Sequence, residues 1–384
     1  RFHHLFDYMS YNIPMIYSDF TGFADLRGLL LHRSIYLFLG FSFIFLTILT
    51  LRRLPQSRPL TMVSRALAVL CFAAGITLAF IFIHDTGSGR ALRSRMLEIG
   101  ARPMEGRALS TTSCDIDLDH KGNSFSARAS IAALNTGADA AARYIYRLNP
   151  GLEVDAVSGR GGPMKFERDL HMLYLEPSSP LPPGGIDSFS IEYHGAIDER
   201  ACYVDIDEET RSQASRMNDA EMMNLGKRYS FVEPEYLLLT PETLWYPAAG
   251  PGYDPRRPEI HHRDFIDFSL SVKTSPRLSA ISQGRIDTLG AGRFRFTPEA
   301  PLPSITLAAG RYESMGVVAD SIACNLYILE GHDFFTGYFT EIGDTMTTII
   351  KEISDEIENK LGLEYPYERI NLVEVPIHFH SYRR

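Results

Sequence analysis

Two stretches of eighteen residues, 34–51 (SIYLFLGFSFIFLTILTL) and 66–83 (ALAVLCFAAGITLAFIFI), carry no charge. No other feature limits the fold as much. A helix needs about 20 apolar residues to cross the hydrocarbon core of a bilayer, and each run approaches that length. Helices buried in a soluble core are usually shorter and keep a polar edge. Two membrane spans are therefore expected. The first run sits behind about thirty polar and aromatic residues and has no small-residue cleavage site, which sets it apart from a signal peptide.

The segment joining the runs, RRLPQSRPLTMVSR, holds Arg52, Arg53, Arg58 and Arg65 and no acid. Basic residues in a short loop mark the cytoplasmic side. Arg27 and Arg33 weaken that bias without reversing it. Both flanks are then expected outside the cytoplasm, which in a diderm bacterium is the periplasm. The lipid bilayer is the first expected partner.

Beyond the runs the pattern becomes that of a water-soluble body. The net charge of −9 disfavours a nucleic-acid surface. Cys71, Cys114, Cys202 and Cys324 form no CxxC pair, which excludes a zinc ribbon or thioredoxin-type site. Residues 85–108 show no apolar period and read as a linker. From about Leu109, short runs alternate with period two: SCDIDLD, SFSARASIAAL, RYIYRLN, HMLYLEP and SFSIEYHG, later DFSLSVKT, RFRFTPE, SITLAAGRYES and NLYILEG. Clusters such as NPG, GRGGP and PSSPLPPGG separate them. That pattern predicts an antiparallel β-sandwich or saddle. A polar, helix-leaning stretch, DEETRSQASRMNDAEMMNLG, interrupts it.

Near the end the period changes. Phe339, Ile342, Met346, Ile349, Ile350, Ile353, Ile357 and Leu361 follow one another by steps of 3, 4, 3, 1, 3, 4 and 4, one stripe of an amphipathic helix. The strand pattern INLVEVPI follows. A helix and then a strand after an all-β body suggests a new α/β unit.

In this order the parts resemble the amino-terminal half of the gluzincin aminopeptidases, the aminopeptidase N and leukotriene hydrolase type. Tyr246-Pro247 in WYPAAGPGYDP (245–255) matches the family's aromatic-Pro turn. Tyr365-Pro366 through Val373 matches the passage from helix to strand that opens its catalytic domain. The front, YNIPMIYSDFTGF and then two spans, resembles the last part of a bacterial ABC transporter permease, a fusion partner known in Bacteroidetes. The resemblance implies membrane helices followed by a mainly β domain, with a C-terminal helix and strand opening an α/β catalytic domain. The expected parts are an extracytoplasmic loop at 1–33, two transmembrane helices with a short cytoplasmic loop at 34–84, the linker at 85–108, the β-domain at 109–335 and the start of a truncated peptidase-like domain at 336–384. The localisation implied is the inner membrane, with the β-domain outside.

The same resemblance implies that FVEPEYLLLTPETLWYP lines a peptide cleft. Glu235, Glu242 and Tyr246 are the candidate substrate-binding residues, and Glu233 is a weaker choice. A carboxylate suits the ammonium group of a peptide substrate. The bland reading is that Glu242 caps a turn after Pro241 and Trp245 simply packs. The family's zinc motif is HExxH, in which two His one turn apart face one metal and the Glu activates water. No HExxH occurs in the 384 residues, so no catalytic residue or cofactor is assigned to them. Zinc is expected only if that motif lies downstream. The family's Gly-Ala-Met-Glu-Asn loop is replaced by HFHSYRR, which has no acid. His378 and His380 share a strand face but lack a third ligand, and His261 and His262 diverge. No Walker motif is present, so an ABC ATPase would be a separate subunit. The alternative reading is a non-enzymatic extracytoplasmic binding or coupling domain of the transporter.

Overall fold

The computed structural model describes residues 4–9, 16–51, 57–102, 106, 108–206, 228–252, 264–319, 322–335, 337, 343–363 and 367–382. The chain divides into two units: Arg1–Arg95 with Ile206–Arg228 and Ile377–His380, and Met96–Asp205 with Tyr229–Pro376 and Ser381–Arg384.

In the first unit, α1 spans Leu26–Thr50 and α2 spans Arg58–Gly100. Two-residue strands β1 (Tyr17–Ser18) and β2 (Gly22–Phe23) form a hairpin before α1. The Asp25 carboxylate caps α1 by accepting from the Gly28 N–H at 2.8 Å. The helices approach closely. An added Cβ on Gly75 would stand 2.8 Å from the Leu39 side chain, and the Ser42 hydroxyl donates to the Ala68 carbonyl at 2.9 Å. Arg27 pairs with Asp85 at 2.8 Å. The outward apolar side chains find no protein partner: Val69 is 71% and Phe80 69% exposed. By length and composition both helices suffice to cross a membrane.

The expected linker at 85–108 is instead helix as far as Gly100. Its Arg, Leu, Met and Glu residues are good helix formers, and the helix carries no Pro after Pro59 to stop it. Absence of apolar period showed only that this stretch leaves the hydrophobic run.

The second unit holds the strands. They are β3 (Ser110–His120), β4 (Phe125–Leu134), β5 (Tyr144–Arg147), β6 (Leu152–Gly159), β7 (Gly162–Pro163), β8 (Lys165–Asp169), β9 (Met172–Glu176) and β10 (Ile186–Gly195). Then come β11 (Phe231–Glu233), β12 (Tyr236–Leu239), β13 (Ala248–Ala249), β14 (Asp267–Lys273), β15 (Ser279–Ile281), β16 (Arg285–Gly290) and β17 (Arg293–Thr297). The last are β18 (Leu307–Gly310), β19 (Tyr312–Ala319), β20 (Ile322–Leu329) and β21 (Arg369–Val373), with helix α3 (Gly343–Leu361) before β21.

An eight-stranded sheet runs β16-β17-β14-β3-β4-β10-β6-β7, antiparallel except where β14 pairs parallel to β3. Alternation decides its faces. Cys114, Ile116 and Leu118 of β3 point into the core with Ile131, Ile191, Leu270 and Phe296, while Asp115, Asp117 and Asp119 point out. Two four-stranded sheets, β11-β12-β18-β15 and β13-β5-β9-β8, contribute Leu237, Leu239, Leu307, Tyr144 and Leu173 to the same core. The mainly β, largely antiparallel body read from the sequence is therefore present. GRGGP forms the β6–β7 hairpin, in which Gly159 faces Gly162.

The last layer is mixed. β19 and β20 are antiparallel, and β20 pairs parallel with β21 through the α3 crossover. Asn325 donates to Asn371 at 3.0 Å across that parallel pair. Ile349, Ile353, Ile357 and Leu361 of α3 are all exposed. β21 stops at Val373, so His378 and His380 lie beyond the strand on which they were expected. His261, His262, Tyr365, Pro366 and the whole helix-leaning insertion fall outside the described residues.

Candidate functional site

Glu235 occupies the turn between β11 and β12, where chain direction reverses within two residues. Arg311, between β18 and β19, reaches its carboxylate at 3.3 Å and that of Glu330 at 3.6 Å. All three side chains are at least half exposed. Two carboxylates around one guanidinium leave this rim with net negative charge. Exposed pairs of this kind contribute little to stability, about 0–1 kcal/mol. A rim that is not a stability device is free to meet a cation.

Beneath the rim lies a chain of polar groups. The Tyr236 and Tyr312 hydroxyls stand 3.2 Å apart, and the Tyr312 hydroxyl donates to the Glu374 carbonyl at 2.9 Å. Burial pushes both phenols well above their ordinary range, so they stay protonated. Glu374 is held on every side. Its N–H donates to the Tyr327 carbonyl at 2.8 Å, one carboxylate oxygen accepts from the Leu329 N–H at 2.7 Å, and the other contacts His332 Nδ1 at 2.5 Å. An added Cβ on Gly310 would stand 3.1 Å from both the Tyr236 and Tyr312 rings, so the absent side chain permits their approach. Arg311, Tyr312 and His332 went unremarked as site residues in the sequence, and nothing there joins Glu374 to Glu235. Each is a single polar residue at a strand end, and no spacing joins them. Pairing of β18 with β12, and of β20 with β21, brings them to Glu235.

Glu242 sits elsewhere, in the single 3-10 turn Pro241–Thr243 after β12. Asn149 builds that turn. Its N–H donates to the Leu244 carbonyl at 2.9 Å and its side chain to the Thr243 carbonyl at 2.8 Å. These bonds offset the left-handed backbone of Leu244 (φ 53°), a cost of about 1–3 kcal/mol. Trp245 is fully buried and Tyr246 is 7% exposed. The Tyr246 ring meets Trp245 and Phe268 edge-on, with centroids 4.9 and 5.7 Å away, and its hydroxyl accepts from the Ile305 N–H at 3.4 Å. Tyr246, expected to contact substrate, packs in the core behind the turn. An aromatic before Pro is as good a wedge between sheets as a wall for a ligand, and burial decides between them.

His378 is fully buried, and its Nε2 lies 3.0 Å from the Ile16 carbonyl. Burial lowers its imidazole from the ordinary range. Among the described residues, no group of three or more His, Cys, Asp or Glu is placed to hold a metal ion. The four cysteines are free thiols.

No family model matches the chain, and no curated protein matches it. Solved structures do match. A mutant two-domain M1 zinc metallopeptidase bound to L-tryptophan is 15% identical, with a TM-score of 0.47 over 72% of this chain and 59% of that one. A mutant M1 zinc metallopeptidase from Deinococcus radiodurans bound to a Tyr-Ser-Ala substrate gives 15% identity and a TM-score of 0.48 over the same shares. The M1 zinc metallopeptidase of Deinococcus radiodurans without a mutation gives 15% and 0.45. The chain spans 59% of the length of these peptidases.

Proposed function

We propose that the chain is a membrane-anchored, extracytoplasmic part of a permease–aminopeptidase-like fusion, and that its β-body walls a cleft holding peptides by their ammonium end. The observation that carries the reading is the rim where Glu235 and Glu330 share Arg311. An ammonium supplies the missing positive charge and three donors to carboxylates already held in place. The Tyr236–Tyr312–Glu374 chain keeps the floor of the rim fixed. Glu242, on the separate turn at the other end of β12, is a second acceptor outside this rim. The uncharged runs 34–51 and 66–83, carried by α1 and α2, are the anchor, and the four arginines around the loop between them set the outward orientation of the β-body.

Zinc hydrolysis is not assigned to these residues. It would need two His and a Glu spaced as HExxH, and the sequence contains none. The chain's own contribution is to bind and orient. The terminal parallel pair β20–β21 with its α3 crossover supports a role as the framework for an α/β layer, because parallel strands are normally covered on both faces.

Glu235→Gln tests the reading. It should weaken binding of a free-amine tripeptide amide by about tenfold, the effect of one charge-assisted hydrogen bond, and leave the N-acetylated peptide unaffected. Equal affinity of both proteins for the free-amine peptide would remove Glu235 from the site.

A further inference from the structure

The outward face of the eight-stranded sheet is not flat. It holds a trough of about 480 Å³ that crosses the strands, with Ser126 and Ser271 among its lining residues. None of Glu235, Glu242 and Tyr246 lines it. Strand register places its charges. Lys273 of β14 is the Cα partner of Arg293 in β17, and Ser271 of β14 is the partner of Asp117 in β3. Arg128 of β4 faces Asp117 on one side and Glu192 of β10 on the other. Asp155 of β6 also lines the trough.

Some of these charges cancel locally. Lys273 pairs with Asp119 at 3.0 Å, and Arg128 pairs with Glu192 at 2.5 Å. What remains has a direction. Beyond the strand ladder, the Arg293 side chain at the β17 end makes no hydrogen bond or ion pair among the described residues, and neither does the Asp117 carboxylate in the middle. At the β6 end Asp155 and Glu153 share the single imidazole of His194, at 2.9 and 4.0 Å. With the ring neutral that end stays negative, because Asp155 and Glu153 together outweigh Lys121, the cation that also acts on the imidazole. From β17 to β6 is five steps between strands, about 24 Å at ~4.8 Å each.

We propose that this trough binds a short peptide with both termini free, lying across the strands with its carboxylate at Arg293 and its ammonium at Asp155. A span of about 24 Å takes roughly seven extended residues at ~3.3 Å each. The lining serines and Asp117 offer hydrogen-bond partners to the peptide's backbone on the way. A polyamine leaves Arg293 unmatched, and a neutral glycan uses neither end. The occupant that answers positive at one end and negative at the other is zwitterionic. This site does not depend on the rim at Glu235, which reads only an ammonium group.

The probe is the heptapeptide Ser-Gly-Ser-Ala-Ser-Gly-Ser, titrated calorimetrically into the full chain in detergent micelles. The peptide is used with free ends, with its C-terminus amidated, and with its N-terminus acetylated. The free peptide should bind saturably, and amidation should weaken it about tenfold. Arg293→Ala should cost the free peptide the same factor and the amidated peptide nothing, the signature of a direct pair. Asp155→Ala should do the same for the amine end. Arg293 and Asp155 are exposed on the sheet, so both variants should fold. Amidation without effect, or unchanged affinity for the free peptide in Arg293→Ala, overturns the trough. If acetylation alone then abolishes binding, the rim at Glu235 stands by itself. No binding of any form overturns both.

Discussion

His171, in the turn between β8 and β9, is the residue whose charge state the fold controls most plainly. It is 6% exposed. Burial first, and then the Arg147 and Arg168 guanidinium groups, push its imidazole down from the ordinary range to about 4. The folded protein therefore keeps it neutral where the unfolded chain, with a value near 6.5, takes up a proton. The unfolded state binds more protons between those two values, so stability falls as pH drops from about 6.5 to about 4. The full loss is about 3 kcal/mol at 1.36 kcal/mol per unit. Urea midpoints measured across that window should show the decline, and His171→Asn should flatten it. An equally steep decline in the variant would assign the pH dependence to other groups. His120 is also lowered by burial and adds in the same direction. Nothing in the sequence marks His171, because burial of a turn residue is decided by the strands that close over it. Glu235 drew attention in the sequence only through resemblance; Arg311, whose guanidinium reaches its carboxylate, drew none.

At the scale of elements, period was the informative quantity and partnership was the silent one. SCDIDLD and SFSARASIAAL announce strands with one wet face, and β3 and β4 are those strands. The parallel pairing of β3 with β14 was invisible, since alternation says which way a side chain points and nothing of which strand lies beside it. The junction of β18 with β19 shows how little sequence such a contact needs. Gly310 there is one glycine among 29, yet a Cβ on it would stand 3.1 Å from both the Tyr236 and Tyr312 rings. Gly310→Val should destabilise the β-body by about 1–3 kcal/mol through overpacking. It should also weaken free-amine peptide binding by moving the Tyr312 hydroxyl off the Glu374 carbonyl. Thermal melts and titrations of the same sample check both. Full retention of stability would mean the rings can part without cost.

The whole molecule combines an apolar helix pair with a β-rich unit that ends in a mixed, partly covered layer. Lipid-like runs and alternating strands differ in kind, so composition tells them apart. Where α2 outlasts its apolar stretch, as far as Gly100, composition is silent. In the proposed function the β-body recognises the charged amine of a peptide. Calorimetric titration of the full chain with alanyl-alanyl-alanine amide, set against its N-acetylated form, tests it most directly. At roughly 10 Å a tripeptide is too short to span the trough, so it reads the amine site alone. Saturable binding of the free amine, weakened tenfold or more by acetylation, is the predicted result. Equal affinity for both forms, or binding of neither, contradicts the claim.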